Sequence, residues 1–373
     1  MPLLRHLQVR LVAVCALALA TPAVAQGSDA SPADGPSTEP FELVHEWREP
    51  AIASACAWSP IEPVLAVFDR RGAVRLRSTE DWEVVETLEC PTAEFGCLAF
   101  SPDGRYLAAG GDRVIRIWSV RKDWKHVVDL DVITPEPEES DEEEFADEDG
   151  EFLEDEEIEG VAWIFEVRAL CFGSNSQLLF IGGDSKAVEA WKTKDWSRAM
   201  VIGQPDLDSA DYVAITSIDS AKRGRMLFTG STDQFARAWD AKRSAWVERE
   251  VEDQSPHHHE GMDVDLSANG NLALVGTLRE QGGFFELHDL KKSRRLARGP
   301  IRSGFVPQVA LFADETRALV ASMELLVVDT ESGEVIRKFP LRSMTIDLAV
   351  SADGLRVAIT GEDARVRVYA VGV

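Results

Sequence analysis

The sequence predicts an all-β protein, a closed ring of seven four-stranded sheets, or seven-bladed β-propeller. Three observations predict it: an aromatic-ended strand that recurs at intervals near forty residues, a turn marker that precedes most copies, and an orphan strand ahead of the first copy.

The recurring strand reads Arg75-Leu76-Arg77, Arg116-Ile117-Trp118, Glu189-Ala190-Trp191, Arg237-Ala238-Trp239, Glu286-Leu287-His288, Val327-Val328 and Arg367-Val368-Tyr369. Its last positions fall at 77, 118, 191, 239, 288, 328 and 369, so the intervals are 41, 73, 48, 49, 40 and 41. Only the second is long. The marker before it is an apolar strand that runs into a turn. Leu98-Ala99-Phe100-Ser101-Pro102-Asp103-Gly104, Val264-Asp265-Leu266-Ser267-Ala268-Asn269-Gly270 and Leu348-Ala349-Val350-Ser351-Ala352-Asp353-Gly354 are its clearest copies. Asp-Gly and Asn-Gly suit tight hairpins because glycine tolerates positive φ. Trp82, Trp124, Trp196 and Trp246 are placed at the start of a last strand. Four short strands per repeat make one blade.

The seventh copy ends at Val373 after its third strand, whereas Phe41–Trp47 alternates apolar and polar residues ahead of the first copy. This orphan strand is expected to complete the last blade and remove the open edge of the ring.

The repeat resembles the WD40 family. Ser101-Pro102-Asp103-Gly104 through Trp118-Ser119 follows the family pattern, and Trp239-Asp240 is the literal WD dipeptide. The resemblance covers about 41–373 and is read as that of an exported, bacterial-type member. It departs from the pattern at Arg77, where tryptophan is usual, and in the sixth copy, which lacks the Gly-x-x-Asp turn. The resemblance implies that Asp69, Asp112, Asp184, Asp233 and Asp363 hold turns rather than catalyse. It also implies a structural role for His257, thirteen residues before Gly270.

The N-terminus reads as a signal peptide over 1–25. Arg5 and Arg10 precede the apolar run Leu11–Ala20, and Ala23-Val24-Ala25 supplies a cleavage site before Gln26. Residues 26–40 read as a disordered linker. The predicted compartment is therefore the periplasm or the outside of the cell. No other apolar run approaches membrane length, so no membrane insertion is expected. Four cysteines remain after cleavage: Cys56, Cys90, Cys97 and Cys171. Buried thiols are the expectation, with Cys90–Cys97 the shortest bridge to check.

The net charge is −26, and −28 once Arg5 and Arg10 are removed. That balance disfavours nucleic acid and anionic lipid, and favours cationic partners. Sixteen of the acids lie between Glu136 and Glu159, with no Lys or Arg among them. Like charges at this density cannot bury a core, so an acidic disordered insertion is predicted at about 133–160. It is read as a solvated spacer, a docking segment for a basic partner (Glu142, Glu143, Glu144), or a calcium loop. Asp147, Asp149 and Glu156 fit part of an EF-hand spacing, but Phe145 stands where the first ligand belongs. His257 and His259 are the other candidate metal ligands. Calcium is the only cofactor considered, and none is the expectation.

The turns expected on the same face as the insertion carry Arg70, Arg71, Arg113, Lys186, Arg279 and Arg365. No GxSxG, HExxH, P-loop or strand-borne GxGxxG occurs. The first strands, which line the channel, read as mostly small and apolar. The expected function is thus a non-catalytic, monomeric scaffold that binds a protein partner bearing a basic patch. The alternative is a lactonase- or quinoprotein-like enzyme or small-ligand binder in the central channel.

Overall fold

The computed structural model describes residues 41–90, 96–111, 113–132, 166–184, 187–203, 213–221, 224–233, 235–240, 245–252, 262–279, 282–303 and 305–371. The chain divides into units 1–38 and 39–373, and all of these residues belong to the second.

They form seven antiparallel sheets of four strands each. Strand β1 (Phe41–Arg48) comes first. Blade 1 is β2 (Ala53–Trp58), β3 (Val64–Asp69), β4 (Ala73–Ser78) and β5 (Val84–Glu89). Blade 2 is β6 (Cys97–Phe100), β7 (Tyr106–Gly111), β8 (Val114–Ser119) and β9 (Lys125–Asp131). Blade 3 is β10 (Val167–Phe172), β11 (Leu178–Gly183), β12 (Ala187–Lys192) and β13 (Arg198–Gly203). Blade 4 is β14 (Ile215–Ala221), β15 (Met226–Ser231), β16 (Phe235–Asp240) and β17 (Ala245–Glu252). Blade 5 is β18 (Met262–Leu266), β19 (Leu272–Arg279), β20 (Gly282–Asp289) and β21 (Arg294–Ile301). Blade 6 is β22 (Gln308–Leu311), β23 (Arg317–Ala321), β24 (Glu324–Asp329) and β25 (Val335–Pro340). Blade 7 takes β26 (Thr345–Val350), β27 (Arg356–Gly361) and β28 (Arg365–Val371), with β1 as its outer strand. Phe41 pairs with Val371 and Arg48 with Arg365, so the orphan strand closes the ring as expected.

Burial explains the pattern in each strand. The second strands are sandwiched by neighbouring blades on both faces, and β3 and β15 are buried at every residue. The outer strand β5 is exposed at five of its six positions. The cores lie between blades. Phe68, Val74 and Leu76 of blade 1 pack with Leu107 and Trp118 of blade 2, and Leu65 and Val67 pack with Val366 and Val368 of blade 7.

Each turn type has its own chemistry. In the first-to-second turn, Ser101 Oγ donates to Asp103 and accepts the N–H groups of Arg105 (3.1 Å) and Tyr106 (2.9 Å). Ser267 with Asn269 and Ser351 with Asp353 repeat the device. Gly104, at φ 64°, needs its freedom there. The third-to-fourth turn corrects one expectation. Trp82, Trp124 and Trp196 do not open the last strand but sit in the turn at φ 64°, 59° and 56°. The left-handed backbone turns each indole back onto the ring: Trp124 meets Phe100 edge-on at 6.2 Å, and Trp196 meets Tyr106 at 5.0 Å. Arg77 fills the missing tryptophan position by lying 4.7 Å over the ring of Trp47 from β1.

Near the axis the blades crowd, and glycines in the second strands make room. A Cβ on Gly276 would lie 2.1 Å from the Pro307 carbonyl oxygen of blade 6. Backbone cannot yield as a side chain can, so Gly276→Ala should destabilise by about 1–3 kcal/mol. A drop in the denaturant midpoint at unchanged m-value would show it; an unchanged midpoint would mean that the blades have room to part.

Candidate functional site

Antiparallel order puts the second-to-third turns and the blade-to-blade connections at one end of the ring. They are stitched together there: Arg70 N–H donates to Ile52 O (3.0 Å), Asp184 N–H to Glu166 O (3.1 Å) and Glu362 N–H to Met344 O (3.0 Å). The described ones among the recurring aspartates hold these turns, and Asp112 lies outside the described residues. Asp69 accepts the N–H groups of Arg71 (2.9 Å) and Ala73 (3.2 Å), and pairs with Arg75. Asp233 pairs with Arg237 (2.7 Å), and Asp363 with Arg367.

The basic residues expected on this face divide into two groups. Arg71 and Arg113 are exposed, and Arg70 is half-buried. Arg365 belongs less to the face than to the closure, because its guanidinium pairs with Glu46 of β1 at 2.9 Å. Lys186, Glu142, Glu143, Glu144, Asp147, Asp149, Glu156, His257 and His259 lie outside the described residues, as do the signal peptide, the linker and the acidic insertion.

The channel walls are mostly small and apolar, as expected, but carry acids among them. A cavity of about 360 Å³ is lined by first-strand residues of blades 2 to 7, and Cys171, Asp219 and Asp265 are among them. Four inner-strand aspartates act as rungs between blades. Asp219 accepts Leu266 N–H (2.8 Å), Asp263 accepts Val309 N–H (2.7 Å), Asp265 accepts Leu311 N–H (2.5 Å) and Asp347 accepts Cys56 N–H (2.7 Å). Each carboxyl thus reaches the next blade's first strand. The first strands run side by side in one direction but splay around the axis, so their backbones do not form a ladder, and the side chains bridge them instead. Bulges between Ile215 and Ser217 and between Thr345 and Asp347 re-aim the strands at this point.

Burial pushes all four carboxyls above the ordinary 3.8, Asp263 to about 7. For Asp265 the adjacent Asp219 charge adds to burial, and the two side chains hydrogen-bond. Two carboxyls this close resist ionising together, and the upward push falls more heavily on Asp265. Cys171 Sγ lies 3.6 Å from Asp219 Oδ1 and 3.4 Å from Ser220 Oγ. Burial, reinforced by the Asp219 charge, holds its thiol far above the ordinary 9.0, so it is no thiolate nucleophile.

All four described cysteines are free thiols, and the Cys90–Cys97 bridge is not formed. Burial raises Cys90 to about 12. Among the described residues, no group of three or more His, Cys, Asp or Glu could hold a metal ion, and no helix is long and apolar enough to cross a membrane.

A ring closed by its first strand, with hydroxyl-capped turns and aspartate-held corners, defines a seven-bladed β-propeller, and part of its sequence matches WD40 repeats. The family model for the WD domain, G-beta repeat, matches residues 82–119 and 209–240. The first match spans β5 to β8, so one sequence repeat starts in blade 1 and ends in blade 2. That offset interlocks the blades. An uncharacterized WD repeat-containing protein of Schizosaccharomyces pombe is 32% identical over 92 residues, which is 22% of this chain and 16% of that protein. A probable cytosolic Fe-S cluster assembly factor of Schizosaccharomyces japonicus is 42% identical over 66 residues, 17% of this chain and 11% of that protein. The chain thus spans under a fifth of the length of the curated relatives it matches.

Proposed function

We propose that the protein is a non-catalytic scaffold that holds a protein partner on its turn-bearing face. The observation that carries this reading is how the channel carboxyls are used. Each already accepts a backbone N–H of the next blade, which suits a wall rather than an active site. Arg71 and Arg113 leave the turn face polar and exposed. The acidic run 136–159 is the docking element for a partner with a basic patch, and opposite charge steers the two together. Export to the periplasm or beyond rests on the N-terminal signal pattern alone, since the Schizosaccharomyces japonicus relative is a probable cytosolic factor.

The test is a crosslinked pull-down from envelope extract with the mature protein and with a 136–159 deletion. A partner that is captured, lost on deletion and weakened by salt supports the reading. A partner kept on deletion moves the contact to the propeller face. Capture of nothing by either form overturns it.

A second reading has one observation in its favour: the cavity is large enough for a small molecule and contains the Asp219–Asp265 pair. A small-ligand binder would show a ligand-dependent rise in Tm that Asp265→Asn removes.

A further inference from the structure

The seven outer strands are the edges of the seven sheets, and they differ in charge. Glu86 and Glu89 make β5 acidic, Glu248, Glu250 and Glu252 outweigh Arg249 in β17, and Glu42 and Glu46 outweigh Arg48 in β1. Strand β21 is the opposite: Arg294, Arg295 and Arg298 stand in it without an acid. Residues 291–302 hold six cations in twelve positions (Lys291, Lys292, Arg294, Arg295, Arg298 and Arg302), and all six are exposed. The neighbouring edge β25 adds Arg337 and Lys338. In a chain of net charge −26 this is a local reversal of sign.

Two acids temper it from within the blade. Buried Glu286 takes Arg295 (3.1 Å) and Arg298 (3.5 Å), and Asp289 takes Lys292 (3.2 Å). Lys291, Arg294 and Arg302 make no ion pair among the described residues. The strand runs for eight residues, enough for a five- or six-residue partner strand. Pro300 near its end has no N–H to offer, so pairing is confined to Arg294–Gly299.

We propose that β21 is a docking edge for an extended acidic peptide of a partner protein. The peptide's backbone adds as a fifth strand to blade 5, and its carboxylates meet Arg294 and Arg302. Charge complementarity selects an anion, and the open strand edge selects a peptide among anions. The size of the patch argues the same way. A long polyanion would run beyond it onto acidic surface, where repulsion acts over a Debye length of about 10 Å. A short peptide meets only the basic edge. This surface lies on an outer strand and is separate from the turn-bearing face.

The experiment is fluorescence anisotropy with the full chain and a labelled ten-residue peptide of alternating Glu and Val. Saturable binding is expected, weakened by at least about tenfold in an Arg294→Glu, Arg302→Glu double variant. Arg121→Glu, on an exposed position of blade 2, should change nothing. N-methylating alternate peptide amides should also weaken binding, because it removes strand pairing but leaves the charge. Unchanged Tm of the double variant shows that it folds. Absence of binding, binding indifferent to N-methylation, or tighter binding of a sulfated polysaccharide would each overturn the proposal. In the first case the cations serve only to keep this edge from pairing with a second propeller.

Discussion

Deleting Phe41–Arg48 should open the ring and abolish its cooperative fold. The strand supplies the whole outer edge of blade 7, and its pairing with β28 runs from Phe41 to Arg48. It does more than pair. Phe41 stacks with Phe339 at 5.2 Å and Tyr369 at 5.7 Å. Glu46 neutralises the buried Arg367 at 2.6 Å. Trp47 lies 5.9 Å from Trp82 and under Arg77, which ties blade 7 to blade 1. Its loss leaves Arg367 short of one partner and two blades without their seam. Breaking a single buried ion pair alone costs about 3–5 kcal/mol, which is a large share of the stability of a typical domain. The expected result is an early, broad melt by circular dichroism, with soluble aggregates on size exclusion. A peptide of sequence Phe-Glu-Leu-Val-His-Glu-Trp-Arg, added in trans, should restore the sharp melt by filling the vacant edge. A deletion form with an unchanged melt would mean that the ring does not depend on its closure.

The protein should be more stable near pH 5 than at pH 7.5. An acid whose folded pKa lies above its unfolded value binds a proton more tightly in the folded state. Its contribution is full below the ordinary 3.8 and drains away as the pH climbs to the folded value, about 7 for Asp263. Asp219, Asp265 and Asp347 shift in the same direction. Among the described residues, no cation faces them. The titratable neighbours on the other first strands are Cys56, Cys97 and Cys171, and Arg168 is engaged by Asp184 and Glu166. Carboxylates outside the channel work the other way. Arg116 holds Asp129 down at about 2, and Asp353 is lowered chiefly by the Ser351 hydroxyl. Their contribution is present above the ordinary 3.8 and is lost in stronger acid. The two sets together place the optimum between pH 4 and 6. Asp265→Asn isolates the channel set. The amide can donate to Asp219 as a protonated carboxyl would, and its oxygen can still accept Leu311 N–H. The variant should gain about 1–3 kcal/mol at pH 7.5, discounted because Asp265 is partly exposed to the cavity, and little at pH 4.5. A wild-type profile flat from pH 5 to 7.5 would show that the pair ionises without penalty.

Much of the fold was legible in the residues. Ser101-Pro102-Asp103-Gly104 and its copies marked the hairpins because their chemistry is local: one hydroxyl, one carboxylate and one glycine close a turn from within. Asp69, Asp184, Asp233 and Asp363 could be assigned to turns because they recur at one repeat position. The candidate site was harder to read. Asp263 and Asp347 each stand four residues before the turn serine, and Asp265 stands two before it. That repetition was present in the sequence, but within apolar strands it reads as ordinary in-out alternation. Arg365 looked like a surface cation because its partner Glu46 lies 319 positions away.

By itself the sequence determined the repeat, the number of blades, the turns and the strand left over for closure, because each depends on residues close together in the chain. Only the tertiary structure decided what happens between blades. The Asp219–Asp265 pair, the glycines that clear the axis, the indole of Trp47 beneath Arg77 and the strongly basic edge at β21 all arise where one blade meets another or meets solvent. Burial and the neighbouring blade, which no single repeat encodes, give those residues their charge state and their partners.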